Sequence, residues 1–162
     1  MKSDKSLIFA NKIWQAWKYG TLIKVSEIEA SISPRTRLRA YEVQKNYISL
    51  SSQGVFGWKI AASNLAGQKH IGVKSPIAGI LLKEKVFNFK KTIPLLPNHM
   101  CVAEVEFVFK MKKDIDFNKS NYVHEEVLLM IDGLYSGIEL PDSRFINFAG
   151  VGELILIADN AC

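Results

Sequence analysis

The hydrophobic period of the chain changes near residue 54, and that change limits the fold more than any other feature. Before it, apolar residues recur at helical spacing. Ala10, Ile13, Trp14 and Trp17 fall at i, i+3, i+4 and i+7 within Leu7 to Tyr19. Ser26-Glu27-Ile28-Glu29 reads as a capping box opening a short second helix. Ser33-Pro34 offers an N-cap with proline at N1. From there Ala40, Val43, Gln44, Tyr47 and Ile48 share one face of a third helix that ends near Ser51–Gly54.

After residue 54 the period is two. Phe56, Trp58 and Ile60 alternate with Val55, Gly57 and Lys59 in a strand that carries one lysine on its second face. Met100 to Lys110 is the clearest strand. Cys101, Ala103, Val105, Phe107 and Phe109 form one apolar face, and Met100, Val102, Glu104, Glu106 and Val108 form the other. His124, Val127, Leu128, Ile131 and Leu134 fit a helix, and a short strand, Gly137 to Leu140, follows it. The apolar run Leu154-Ile155-Leu156-Ile157 has β character. The expected class is therefore α+β: an N-terminal helical segment over 1–54, then a β-rich portion over 55–162, within one globular unit.

A length of 162 residues suits such a unit and allows a sizeable core. The start, Met1-Lys2-Ser3-Asp4-Lys5, lacks a signal-peptide pattern, and no segment approaches 18 consecutive apolar residues. A soluble, cytoplasmic protein without membrane partners is expected. Cys101 and Cys162 offer no metal spacing and no disulfide framework, and Cys101 reads as a free, buried thiol. The net charge of +5 is uneven. Residues 1–110 carry 17 Lys/Arg against 7 Asp/Glu, and residues 111–162 carry 4 against 9. The basic residues are scattered as pairs and not gathered in a stripe, so a nucleic-acid partner is not expected.

The chemistry-bearing candidates lie on the strands. Glu104 and Glu106 are two residues apart, so both point to one face about 6–7 Å apart, among apolar neighbours. Two adjacent anions in such surroundings call for a cation, and a hard divalent ion such as Mg²⁺ or Mn²⁺ suits carboxylate oxygens. An E-x-E on an ordinary solvated strand looks the same. Glu139 is a third strand-borne carboxylate, which can converge on the same octahedral ion or simply sit at a sheet edge. Lys59, between Trp58 and Ile60, can hold a substrate carboxylate or move a proton, or it can snorkel from an edge. The three histidines are isolated, which argues against zinc. Gly133-Leu134-Tyr135-Ser136-Gly137 is no nucleophile elbow, and Gly150-Val151-Gly152 is no dinucleotide loop.

Taken in order, several short stretches resemble the 2-keto-4-pentenoate hydratase and 4-oxalocrotonate decarboxylase family, within the fumarylacetoacetate hydrolase superfamily. They are Ala40-Tyr41-Glu42-Val43-Gln44, Gly57-Trp58-Lys59-Ile60, Ile71-Gly72-Val73 with Pro76 and Gly79, Ala103-Glu104-Val105-Glu106-Phe107, Ile138-Glu139-Leu140-Pro141-Asp142-Ser143-Arg144, and Ala158-Asp159-Asn160-Ala161. The resemblance implies a barrel-like mixed sheet behind the helices. It further implies Mg²⁺ or Mn²⁺ on Glu104, Glu106 and Glu139, Lys59 as the catalytic group at the substrate, and the backbone near Ile71 close to the substrate carboxylate. Cys162 stands where a substrate-facing serine is usual. The implied substrate is a short 2-oxo acid, the implied reaction hydration of 2-hydroxypenta-2,4-dienoate in aromatic catabolism, with decarboxylation of 4-oxalocrotonate as sister activity. A homo-oligomer is expected.

Two departures accompany the resemblance. Ile77 occupies a position that is commonly acidic. The family's chain also continues past the Asp-Asn-Ala stretch, so an incomplete core with unpaired sheet edges is expected, and a relative without turnover is the alternative reading.

Overall fold

The computed structural model describes residues 4–161 except Lys90, Pro94, Leu96 and Phe117, and it divides into two compact units. Met1–Met100 with Asp142–Cys162 form the first, and Cys101–Pro141 form the second. The change of period at residue 54 thus marks a switch from helix to strand inside the first unit.

Helix α1 (Lys5–Tyr19) opens where Asp4 accepts from the N–H groups of Ser6 and Leu7, and closes on Gly20, whose φ of 63° suits a glycine. Helix α2 (Arg37–Leu50) is capped by Thr36, whose side chain accepts from Arg39 N–H. It starts three residues beyond Ser33-Pro34, because Thr36 has the extended backbone that a cap needs. Val25–Glu27 makes only a 3-10 turn, and the expected second helix does not extend beyond it. Strand β1 (Val55–Ala61) pairs antiparallel with β2 (Ile77–Leu82), and Lys59 lies opposite Gly79. Between them stands a short helix that the periodicity did not reveal, α3 (Leu65–Ile71), capped by Asn64 and closed by Gly72 at φ 70°.

The apolar run at 154–157 is helical and not extended: α5 spans Glu153–Ala158. Its β-branched residues favour a strand, but burial on all sides outweighs that preference, and Leu156, Ile157 and Ala158 are fully enclosed. Around α5 gather Phe9, Ala10 and Ile13 of α1, Ala40, Val43 and Tyr47 of α2, and Ile77, Ile80 and Leu82 of β2. Each Val, Leu, Ile or Phe side chain among them contributes about 1.5–3 kcal/mol by leaving water. Trp14 and Trp17 meet Tyr47 with ring centroids 6.0 and 6.3 Å away, so the tryptophan pair packs within this unit. The outer face of β1, with Phe56, Trp58 and Ile60, is exposed.

The second unit is a long antiparallel ribbon. Strand β3 (Glu104–Met111) pairs with β4 (Ile131–Glu139), after a short helix α4 (His124–Leu129). β3 starts at Glu104 and not at Met100. The helix stops five residues before Leu134, and β4 begins well before Gly137. Cys101, expected buried, is exposed, with a left-handed φ of 51°. Val105, Phe107 and Phe109 line up with Ile138, Ser136 and Leu134 on one face of the ribbon, and that face is exposed. No helix among the described residues is long and apolar enough to cross a membrane.

Candidate metal centre

The register of the β3–β4 ribbon decides where its carboxylates fall. Glu104 lies directly opposite Glu139, and Glu106 lies two residues along the same face, opposite Gly137. Directly opposed like charges on a ladder repel, so this register is unfavourable unless a cation lies between them. One carboxylate oxygen from each of Glu104, Glu106 and Glu139 comes within 4.8 Å of the other two. Two oxygens on one Mg²⁺ at about 2.1 Å stand up to about 4.2 Å apart, and on one Ca²⁺ at about 2.4 Å up to about 4.8 Å. The three carboxylates are therefore within reach of one hard divalent ion, with Glu139 half-buried and the other two exposed to solvent.

The neighbours on this face are shaped around it. A Cβ at Gly137 would stand 2.8 Å from Val108 Cγ2, so the absence of a side chain lets Val108 lean across the ladder beside Glu106. Lys110, on the same face of β3, is held by Asp132 at 2.6 Å, and that hydrogen bond raises its pKa and lowers that of Asp132.

Lys59 and Ile71 belong to the first unit. The Lys59 side chain is half-buried and its Nζ donates to the Ala161 carbonyl at 2.8 Å. Ile71 ends α3 and packs, half-buried, against the core. Cys162 lies outside the described residues.

A polar cluster that sequence reasoning gave no role ties down the end of α5. The last carbonyls of a helix have no partner within it. Here Gln44 Nε2 donates to Ile157 O at 3.0 Å and to Ala78 O at 2.8 Å, and Tyr47 Oη donates to Ala158 O at 2.5 Å. Asp159, fully enclosed, accepts from Arg144 Nε at 2.6 Å, Ser143 Oγ at 2.7 Å and Arg144 N–H at 3.1 Å. Arg144 Nη2 also donates to the Asp159 carbonyl, and its guanidinium stacks 4.9 Å from the Trp17 ring centroid. Burial pushes the Asp159 carboxyl up, against the opposing pull of Arg144 and Ser143. Burial, and then the Asp159 charge, push the Tyr47 hydroxyl well above the usual tyrosine value, which suits a donor that stays protonated. A visible signal was the placement of Gln44 and Tyr47 on the apolar face of α2.

No protein-family model matches the chain. In fold the chain is similar to 4-oxalocrotonate decarboxylase from Pseudomonas putida G7. The match covers 99% of this chain and 60% of that one at 19% identity, with a TM-score of 0.67 for the structure complexed with magnesium and adipate and 0.68 for that with calcium and acetate. This is the α+β fold of the fumarylacetoacetate hydrolase type, in part and, among the described residues, without a closed barrel. In sequence it is 31% identical over 126 residues to the 2-keto-4-pentenoate hydratase of Paraburkholderia xenovorans and to 2-keto-4-pentenoate hydratase 3 of Pseudomonas putida. The sequence relatives are thus 2-keto-4-pentenoate hydratases, and the fold is shared with a 4-oxalocrotonate decarboxylase. The chain spans 45% of the length of these curated relatives.

Proposed function

We propose that the chain serves as a metal-dependent lyase of the hydratase type on a short 2-hydroxydienoate or 2-oxo acid. The observation that carries this reading is the convergence of Glu104, Glu106 and Glu139 on one face of the ribbon. Its support from relatives is their naming as 2-keto-4-pentenoate hydratases, and the magnesium and calcium complexes of the decarboxylase. Glu104, Glu106 and Glu139 would hold Mg²⁺ or Mn²⁺, which when bound supplies a positive charge for the carboxylate and 2-oxo oxygens of the substrate and for charge developing on the latter. Lys59 would hold the substrate or move a proton at its Nζ, with Ile71 and Cys162 as the further substrate-binding candidates. Decarboxylation is the second reading, favoured by the fold match to 4-oxalocrotonate decarboxylase. A homo-oligomer in the cytoplasm completes the proposal, with the exposed apolar faces of β1 and β3 as surfaces to be covered.

Calorimetric titration of Mg²⁺ and Mn²⁺ into the chain, with and without oxalate as a 2-oxo acid mimic, tests it. Binding that tightens with oxalate and vanishes in Glu106→Ala is the expected result. No metal binding by the wild-type chain overturns the proposal, and binding without turnover on either substrate class leaves a metal-binding relative in place of an enzyme.

A further inference from the structure

The turn after α5 has an unusual backbone. Asn160 and Ala161 are consecutive and both left-handed, at φ 65° and 61°. A single asparagine tolerates that region, but an alanine beside it is unfavourable and must be held there by its surroundings. The pair is held by two backbone bonds into α5, Asn160 N–H to Ile157 O at 3.1 Å and Ala161 N–H to Leu156 O at 2.8 Å, and by the Asn160 side chain, which ties the turn to β2. Its Oδ1 accepts from Ile80 N–H at 2.7 Å and its Nδ2 donates to Ile80 O at 2.9 Å. The carboxamide thereby mimics one peptide of an added strand along β2, and Asn160 is buried. The main chain of the same residue presses on β2 one position earlier. A Cβ at Gly79 would stand 2.3 Å from Asn160 O, and 2.9 Å from Lys59 Cε. Gly79 is thus the surface over which both the turn and the lysine stem lie. The turn delivers one more group to that place, the Ala161 carbonyl that receives Lys59 Nζ at 2.8 Å.

We propose that Asn160 is the positioning residue for Lys59. By clamping both polar groups of Ile80 it fixes the left-handed turn against β2, and the turn fixes the ammonium of Lys59 through the Ala161 carbonyl. A lysine stem has four rotatable bonds and loses its geometry readily, so a fixed carbonyl acceptor defines where the ammonium stands when a substrate carboxylate arrives. The inference rests on the reading of Lys59 as the substrate-side cation, and its test does not require turnover.

The test is competitive acetylation of all lysines by trace N-hydroxysuccinimidyl acetate, read per site by mass spectrometry, with the exposed Lys24 as internal reference. In the wild-type chain Lys59 is expected to react at least fivefold more slowly than Lys24. In Asn160→Gly, which keeps the left-handed backbone without strain but loses both bonds to Ile80, the Lys59 rate should rise at least threefold relative to Lys24. Asn160→Ala should show the same rise. A Lys59 rate equal to that of Lys24 in the wild type overturns the proposal even if neither variant folds. So does an unchanged Lys59 ratio in a variant whose circular dichroism is native. Failure of Lys59→Met to alter oxalate binding would instead remove the substrate role of Lys59 and leave the positioning result standing.

Discussion

Glu104 and Glu139 face each other directly across the β3–β4 ladder, two carboxylates where an antiparallel pair ordinarily places opposite charges or apolar groups. The pairing makes stability of the ribbon depend on what lies between them. Without metal, Glu104→Gln should raise stability by about 0.2–1 kcal/mol, because one of two repelling charges is gone. With 10 mM Mg²⁺ the sign should reverse: wild type gains in melting temperature and the variant gains little. Thermal melts in EDTA and in Mg²⁺ check both halves. Equal Mg²⁺ shifts in the two proteins would contradict a shared ion.

Arg144 and Asp159 form an ion pair that solvent scarcely reaches, with side chains 4% and 0% exposed. Breaking such a pair from one side leaves an uncompensated charge. Arg144→Met should therefore cost about 3–5 kcal/mol in urea unfolding. The double replacement Arg144→Met with Asp159→Leu should lose less than the sum of the two single losses, because neither charge is then stranded.

Tyr47 gives a pH signature. Its folded pKa lies well above the ordinary value near 10, chiefly through burial. A raised folded pKa means that its contribution is complete below pH 10 and is lost as pH climbs from there toward the folded value. Wild-type stability should fall by up to about 1.4 kcal/mol per pH unit over that window on account of this one group. Tyr47→Phe should remove that slope. It should also cost about 1–3 kcal/mol at neutral pH, because the Ala158 carbonyl loses its donor. Urea titrations from pH 7 to 11 on both proteins measure the difference.

Gly79 should tolerate no side chain. Its Cβ would meet a backbone oxygen, which cannot rotate away, and the Lys59 stem. Gly79→Ala is expected to destabilise by about 1–3 kcal/mol and to shift the Ile80 and Ala161 amide resonances in NMR spectra. The same change at Gly57, where a Cβ meets nothing within 4 Å, serves as the control.

The parts legible in the sequence were those governed by spacing. The period-3.6 stripes located α1 and α2, and the alternation at 104–110 put Glu104 and Glu106 on one face. Their partner Glu139 was nameable, but its register against Glu104 depends on pairing that no local pattern encodes. The segment at 154–157 misled because its residues carry a β preference that burial overrides. α3 escaped notice because its seven residues, with Gly67 and exposed Leu65, carry no apolar stripe; only the Asn64 cap and Gly72 mark it. Cys101 was judged from an apolar run that in fact lies before the strand. The Gln44–Tyr47–Asp159 cluster joins residues more than a hundred positions apart, a relation invisible to any window of sequence.

That last relation bears on the order in which the molecule can assemble. The bonds that finish the first unit span 80 to 113 residues of chain: Ile80 to Asn160, Lys59 to Ala161, Tyr47 to Ala158, Gln44 to Ile157. During synthesis α1, α2 and the β1–β2 hairpin emerge first, with their buried polar tips still directed at water. Closing such long loops is slow, and little is gained until they close. The first unit therefore waits for a six-residue helix: until residues 153–161 have left the ribosome, the helices and strands made before them have no interior to close on.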